Sequence, residues 1–89
     1  MPWIYNPQLV IVLFFEQLMT QLSELTILFG LRVREQRKLK KISQEKLALL
    51  CNIDRSYMGR IERGEVNITL EKIYDIARSL SIDVKELLP

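Results

Sequence analysis

Arg55, Ser56 and Arg60 fall on one side of a short helix if residues 55–63 are helical. A guanidinium presents a planar fork of donors, and a hydroxyl both donates and accepts. Three such groups on one open face suit hydrogen bonding to a flat polar edge, such as guanine O6 and N7 in a DNA major groove. Catalytic chemistry has little to work with. The chain has no histidine and one cysteine, Cys51, so it cannot build an intrachain disulfide, a Cys/His metal site or a Ser-His or Cys-His pair. No paired carboxylates point to a cleft, and no glycine-rich loop could cradle a phosphate. No enzyme, cofactor, metal or small-molecule substrate is expected.

The elements that must position these side chains lie in the stretch QEKLALLCNIDRSYMGRIER, Gln44–Arg63. Ser43 can cap a first helix, with Lys46 rather than Glu three places on, so the cap lacks a full capping box. Leu47, Leu50 and Cys51 share one face, and Ala48 is small where two helices would cross. Asn52 stands at the turn and tolerates left-handed backbone. Ile53 plugs the corner, and Asp54 suits the cap of a second helix over Arg55–Arg63. Met58 and Ile61 then face the core, leaving Arg55, Ser56, Gly59 and Arg60 open. Two helices at a wide angle form a helix-turn-helix, whose second helix enters the major groove. Gly59 lets that helix approach DNA or a neighbour closely, at a propensity cost of roughly 1 kcal/mol.

The 89 residues allow one domain with a small core. The net charge of +2 is unevenly spread: residues 30–64 carry ten Lys/Arg against four Asp/Glu, while both flanking segments are slightly acidic. A charge run alone is usually a solvated face. This one coincides with the helix-turn-helix, which favours phosphate binding. Cys51, on the core side of its helix, reads as a small buried hydrophobe.

From Phe29 to Leu88 the chain resembles the Cro and phage-repressor type of helix-turn-helix protein, the XRE family. The resemblance rests on FGLRVREQR, ISQEKLA, CNIDRSYMGRIERG and NITLEKIYDIARSLSIDVKELL. The run DRSYMGRIERGEVNITLEKIYDIA is also similar to the small controller proteins of restriction–modification systems. Asn52 departs from the glycine usual at that place, yet keeps the turn plausible. The resemblance implies an all-α, five-helix lambda-repressor-like domain over residues 28–89. It implies base contact by Arg55, Ser56 and Arg60, with Tyr57 near enough for a backbone or thymine-methyl contact. Arg60 could instead reach only phosphate. Gln44 matches the residue that grips a phosphate at the start of the first helix, with Ser43, Arg63 and Asn67 as weaker phosphate candidates. Arg37 and Glu62 match a largely buried pair tying the domain's first helix to the recognition helix.

Residues 1–27 differ in character and read as an apolar helical extension. Asn6-Pro7 is a cap followed by a first-turn proline. The uninterrupted run Leu9–Phe15 is shorter than the roughly 20 residues that a membrane span needs, and it lacks the features of a signal peptide. No membrane partner is expected, and the cytoplasm is the expected location. Ile11, Phe15, Leu18, Leu22, Leu25 and Phe29 step alternately by four and three, a heptad seam that must pack on something. Three readings stay open: a dimerisation helix, a helix covering the domain's own core, or a segment without a selected role ahead of a start at Met19.

The domain's first helix is expected over about Leu28–Leu39, apolar at Leu31 and Val33, and either joined to the extension or separate from it. After Gly64, a C-terminal cap, Thr69 should cap a helix whose core stripe is Leu70, Ile73, Ile76, Ala77 and Leu80. Asp83 should cap a last turn or two over Val84–Leu88. In the family this end forms a two-fold contact, which adds Ile82 and Leu87 to Ile11, Phe15, Leu18 and Leu22 as dimerisation candidates. The expected function is a homodimeric transcriptional regulator on palindromic operator DNA. The alternative is a protein-interaction module built on the apolar helix, with a helix-turn-helix that does not read DNA.

Overall fold

The computed structural model describes residues 6–89; the first five residues of the expected extension lie outside it. Among the described residues all regular structure is helical. Helix α1 spans Pro7–Leu39, 33 residues without a break. Its start follows from Asn6, whose Oδ1 accepts from the Gln8 and Leu9 amides at 3.1 and 3.3 Å. Pro7, at the first helical place, has no amide hydrogen to leave unsatisfied. The expected boundary between residues 27 and 28 falls inside this helix, because nothing between Leu25 and Leu31 interrupts it. The extension and the domain's first helix are therefore one element. At about 1.5 Å per residue α1 is roughly 50 Å long, which accounts for most of the 56 Å length of the molecule.

The rest is a compact body: α2 over Gln44–Leu50, α3 over Arg55–Glu62, α4 over Leu70–Leu80, and one 3-10 turn over Val84–Glu86. The expected fifth helix is only that turn. Ser43, Thr69 and Asp83 cap their elements by accepting from the amides of Lys46, Lys72 and Lys85. Asp54 holds the extended backbone of a cap, but its side chain accepts no amide bond.

All four helices end the same way. Lys41, Asn52, Gly64 and Ser81 have φ of 59°, 56°, 73° and 56°, the left-handed region. In each case the next residue's amide reaches back five places, as from Ile53 to the Ala48 carbonyl at 3.0 Å and from Glu65 to Arg60 at 2.9 Å. These are Schellman ends, which satisfy carbonyls that the helix leaves free.

The core gathers Phe29 and Val33 of α1, Leu47, Ala48 and Cys51, Met58 and Ile61, then Ile76, Ala77, Leu80 and Leu87. Two residues expected inside are outside: Leu50 and Leu70 are 48 and 68% exposed. Each is the terminal residue of its helix, Leu50 closing α2 and Leu70 opening α4. Leu87 errs the other way. Offered as a dimer contact, it is fully buried within its own chain, because the 3-10 turn folds it under α4. Ile82 is half-buried and packs on the core.

From Pro7 to Leu25 every residue of α1 is exposed, so this part does not cover the domain's own core. Continuity also overturns the length argument made from Leu9–Phe15: α1 is long enough, and an 18-residue stretch of it apolar enough, to cross a membrane by length and composition.

Candidate nucleic-acid interface

The recognition helix is fixed from behind. Arg37 Nε and Nη2 donate to Glu62 Oε2 and Oε1 at 2.8 and 3.1 Å, and Arg37 Nη1 donates to the Ile42 carbonyl at 3.1 Å. Glu62 closes α3, so this fork ties α3 both to α1 and to the link into α2. Gly30 sets the distance between the two helices. A Cβ there would lie 2.4 Å from the Ile61 carbonyl oxygen and 2.5 Å from that of Glu62. Sequence reasoning used Gly30 only as part of a matching run. Its signal was a glycine inside a helix, which costs about 1 kcal/mol in propensity and so asks for a packing reason.

With α3 held on that side, its opposite side opens to solvent. Gln44 of α2 and Arg55, Ser56, Gly59, Arg60 and Arg63 line one shallow concavity of about 490 Å³. Among the described residues neither Arg55 nor Arg60 is paired with a carboxylate. Their donors are therefore free for an outside acceptor. Gly59 lies between the two helices: a Cβ there would be 3.0 Å from Arg63 Nη1 and 3.4 Å from Gln44 Oε1. Its absence lets those two side chains share the floor.

Other predicted residues lie elsewhere. Tyr57 is half-buried and lines a different hollow with Asn52, Asp54 and Lys72, because it points toward the α2–α4 side of its helix. Asn67 borders α1 and the Gly64–Val66 loop, away from the arginines. The Ser43 hydroxyl is engaged by the Lys46 amide at 2.9 Å. Arg63 is in the concavity, yet its Nε donates to Glu65 at 2.7 Å, a partner that the sequence reading did not name.

Two further contacts were not anticipated. Thr26 Oγ1 donates to the Gly64 carbonyl at 3.0 Å, and a Cβ on Gly64 would meet the Ile27 Cα at 2.5 Å. The loop after α3 thus rests directly on α1. Cys51 Sγ donates to Ser79 Oγ at 3.3 Å. Burial pushes the Cys51 thiol above its ordinary pKa, opposed by that hydrogen bond.

Comparison with known proteins agrees with this geometry. The family model described as Helix-turn-helix matches residues 33–87. Control protein C.BamHI of Bacillus amyloliquefaciens is 42% identical over 67 residues, covering 74% of this chain and 83% of its own. Control protein C.SmaI of Serratia marcescens is 39% identical over 56 residues, covering 63% and 67%. Among solved structures, the restriction-modification controller protein C.AhdI from Aeromonas hydrophila superposes with a TM-score of 0.71 at 44% identity. That match covers 74% of this chain and 96% of C.AhdI. With the α2–turn–α3 unit, the matched span and these relatives together, the chain belongs to the Cro and phage-repressor (XRE) type of helix-turn-helix transcriptional regulators, in the company of restriction–modification control proteins.

Proposed function

We propose that this protein binds a palindromic DNA operator as a dimer, one α3 per half-site, and acts as a controller of restriction–modification type. The observation that carries the reading is the convergence of Gln44, Arg55, Ser56 and Arg60 on one open face. Arg55 and Arg60 read base edges through their forked donors, with Ser56 beside them. Gln44 and Arg63 take phosphate, fixing register without sequence information. In such dimers the half-sites lie about one helical turn apart, roughly 34 Å, because both helices must enter the same face of the duplex. The names of the relatives, control proteins among them, support the controller role.

The test titrates each variant against the operator and its single-base variants at fixed salt. Arg55→Ala or Arg60→Ala should cost on the order of 1–3 kcal/mol on the cognate site and relax preference at one base pair. Gln44→Ala should weaken all sequences by similar factors. Uniform loss in both arginine variants, with base preference intact, would overturn the base-reading assignment.

A further inference from the structure

The seam Ile11, Phe15, Leu18, Leu22 and Leu25 leaves the body on α1 with each side chain between 43 and 66% exposed. The next step of the same spacing reaches Phe29, which is buried against the body, as is Val33 one turn beyond it. The exposed seam therefore overhangs on the side where the body sits. Below it, Leu25, Phe29, Ile68, Ile73 and Leu88 line an apolar groove of about 440 Å³.

We propose that a second copy of this chain covers both features. Two α1 helices pack antiparallel about a two-fold axis at Leu18, and the Ile11 end of each reaches the groove of the other. This deepens the dimeric reading above and rests on it.

Self-complementarity, area and spacing favour this occupant and this direction. The first is self-complementarity, which a two-fold interface requires. With Leu18 on the axis, Ile11 of one copy meets Leu25 of the other, since both lie seven residues away. Phe15 then meets Leu22, one three and the other four residues from the axis. The second is area. The exposed parts of these five residues amount to on the order of 500 Å² per copy, and the roughly 1,000 Å² of a pair is the least that a specific interface needs.

The third argument is spacing. Gly30, where α1 touches the end of α3, is twelve residues from Leu18. At about 1.5 Å per residue the two Gly30 positions of an antiparallel pair stand roughly 36 Å apart along the helices, close to one turn of DNA at about 34 Å. A parallel pair would bring these anchors to within about 10 Å of each other, the distance between packed helix axes. The antiparallel register thus sets the two places where α3 abuts α1 about one DNA turn apart.

Cysteine linkage in the full-length chain tests the register. Leu18 is exposed, so Leu18→Cys leaves the fold intact, and the native Cys51 is enclosed in the core. Under mild oxidation most of the Leu18→Cys protein should run at twice the monomer mass. Ile11→Cys and Leu25→Cys should link only when mixed with each other. Linkage of Ile11→Cys and Leu25→Cys each on its own, as strong as at Leu18, would overturn the proposal in favour of a parallel pair. So would failure of every position to link while the unmodified protein sediments as a monomer or partitions onto phosphatidylcholine vesicles. If no position links yet the protein still binds a palindrome as a dimer, the seam pairing fails and the DNA reading stands. A Leu18-linked dimer that ignores operator sequence confirms the pairing and defeats the DNA reading.

Discussion

Arg37 and Glu62 meet fork to fork, with side chains only 12 and 3% exposed, so one arginine joins three parts of the chain. Its remaining nitrogen holds the Ile42 carbonyl, where α1 hands over to α2. A buried pair of this kind is not in itself a source of large net stability, because both charges lost their water. Its geometry instead fixes the angle at which α3 leaves α1, and with it the aim of Arg55 and Arg60.

Removing one partner leaves the other charge buried and alone. Glu62→Ala should therefore cost about 3–5 kcal/mol. Glu65→Ala breaks only the exposed pair with Arg63 and should cost less than about 1 kcal/mol. Urea midpoints of the two variants check this, and equal midpoints would refute the buried role of the pair.

Gly30→Ala should be among the most damaging single-methyl changes in the chain. The atoms that its Cβ would strike are backbone carbonyl oxygens of α3, which cannot swing aside. Overpacking of this kind costs typically 1–3 kcal/mol, and here α1 and α3 must separate. Gly59→Ala meets only the ends of Arg63 and Gln44, so its unfolding midpoint should stay near that of the parent. Thermal unfolding of both variants makes the comparison.

The α2–turn–α3 unit was legible because its signals are local. Ser43 as a cap, Asn52 at the turn and buried Met58 and Ile61 follow from spacing and side-chain type alone. Gln44, Arg55, Ser56 and Arg60 share a face for the same reason. What escaped depends on contacts distant in sequence. Gly30 matters only because residues 61 and 62 press on it, and Leu87 is buried only because a short turn folds it back. Helical spacing alone leaves the direction of Tyr57 ambiguous, whereas packing against the Asn52–Asp54 side decides it. The boundary drawn after residue 27 rests on a change in composition, to which backbone hydrogen bonding is indifferent.

The left-handed helix ends offer a route to added stability. Ser81 holds φ of 56° without being glycine, a strain of about 1–3 kcal/mol. Glycine relieves it but adds freedom to the unfolded chain, worth about 0.4–1 kcal/mol. Ser81→Gly should therefore gain roughly 0.5 kcal/mol or more. Asn52→Gly should gain less, because asparagine already tolerates this region. Denaturant unfolding of the two variants gives the order.

Cys51 should resist alkylation until the protein unfolds. Its thiol is held above the ordinary range first by loss of water and then by the nearby Asp75 charge, with the Ser79 hydrogen bond and Lys72 acting against this. A group whose pKa is raised by folding contributes its full stability below the unfolded value and loses it as pH climbs through the folded one. Between about pH 7 and about pH 10 the parent should therefore lose more stability than Cys51→Ala. Urea midpoints at both pH values, beside iodoacetamide labelling in native buffer, measure the difference. Fast labelling of the native protein would show that the thiol is not shielded.

Glu65 is the residue whose removal should improve DNA binding. Its carboxylate holds Arg63 Nε at 2.7 Å on the rim of the concavity, with the two side chains 61 and 49% exposed. If Arg63 takes a phosphate, as proposed, a carboxylate so near it repels the DNA backbone and occupies the donor that would meet it. Glu65→Gln keeps the side-chain shape and removes the charge, so Arg63 is free to neutralise a phosphate. Each added phosphate contact steepens the fall of log affinity with log salt by about 0.9. The variant should bind operator and unrelated duplex more tightly by similar factors at low salt, with the advantage shrinking as salt rises. Titrations at several salt concentrations give both slope and specificity ratio. A gain confined to the operator would place Arg63 on a base edge, and an unchanged slope would remove it from the phosphate contacts.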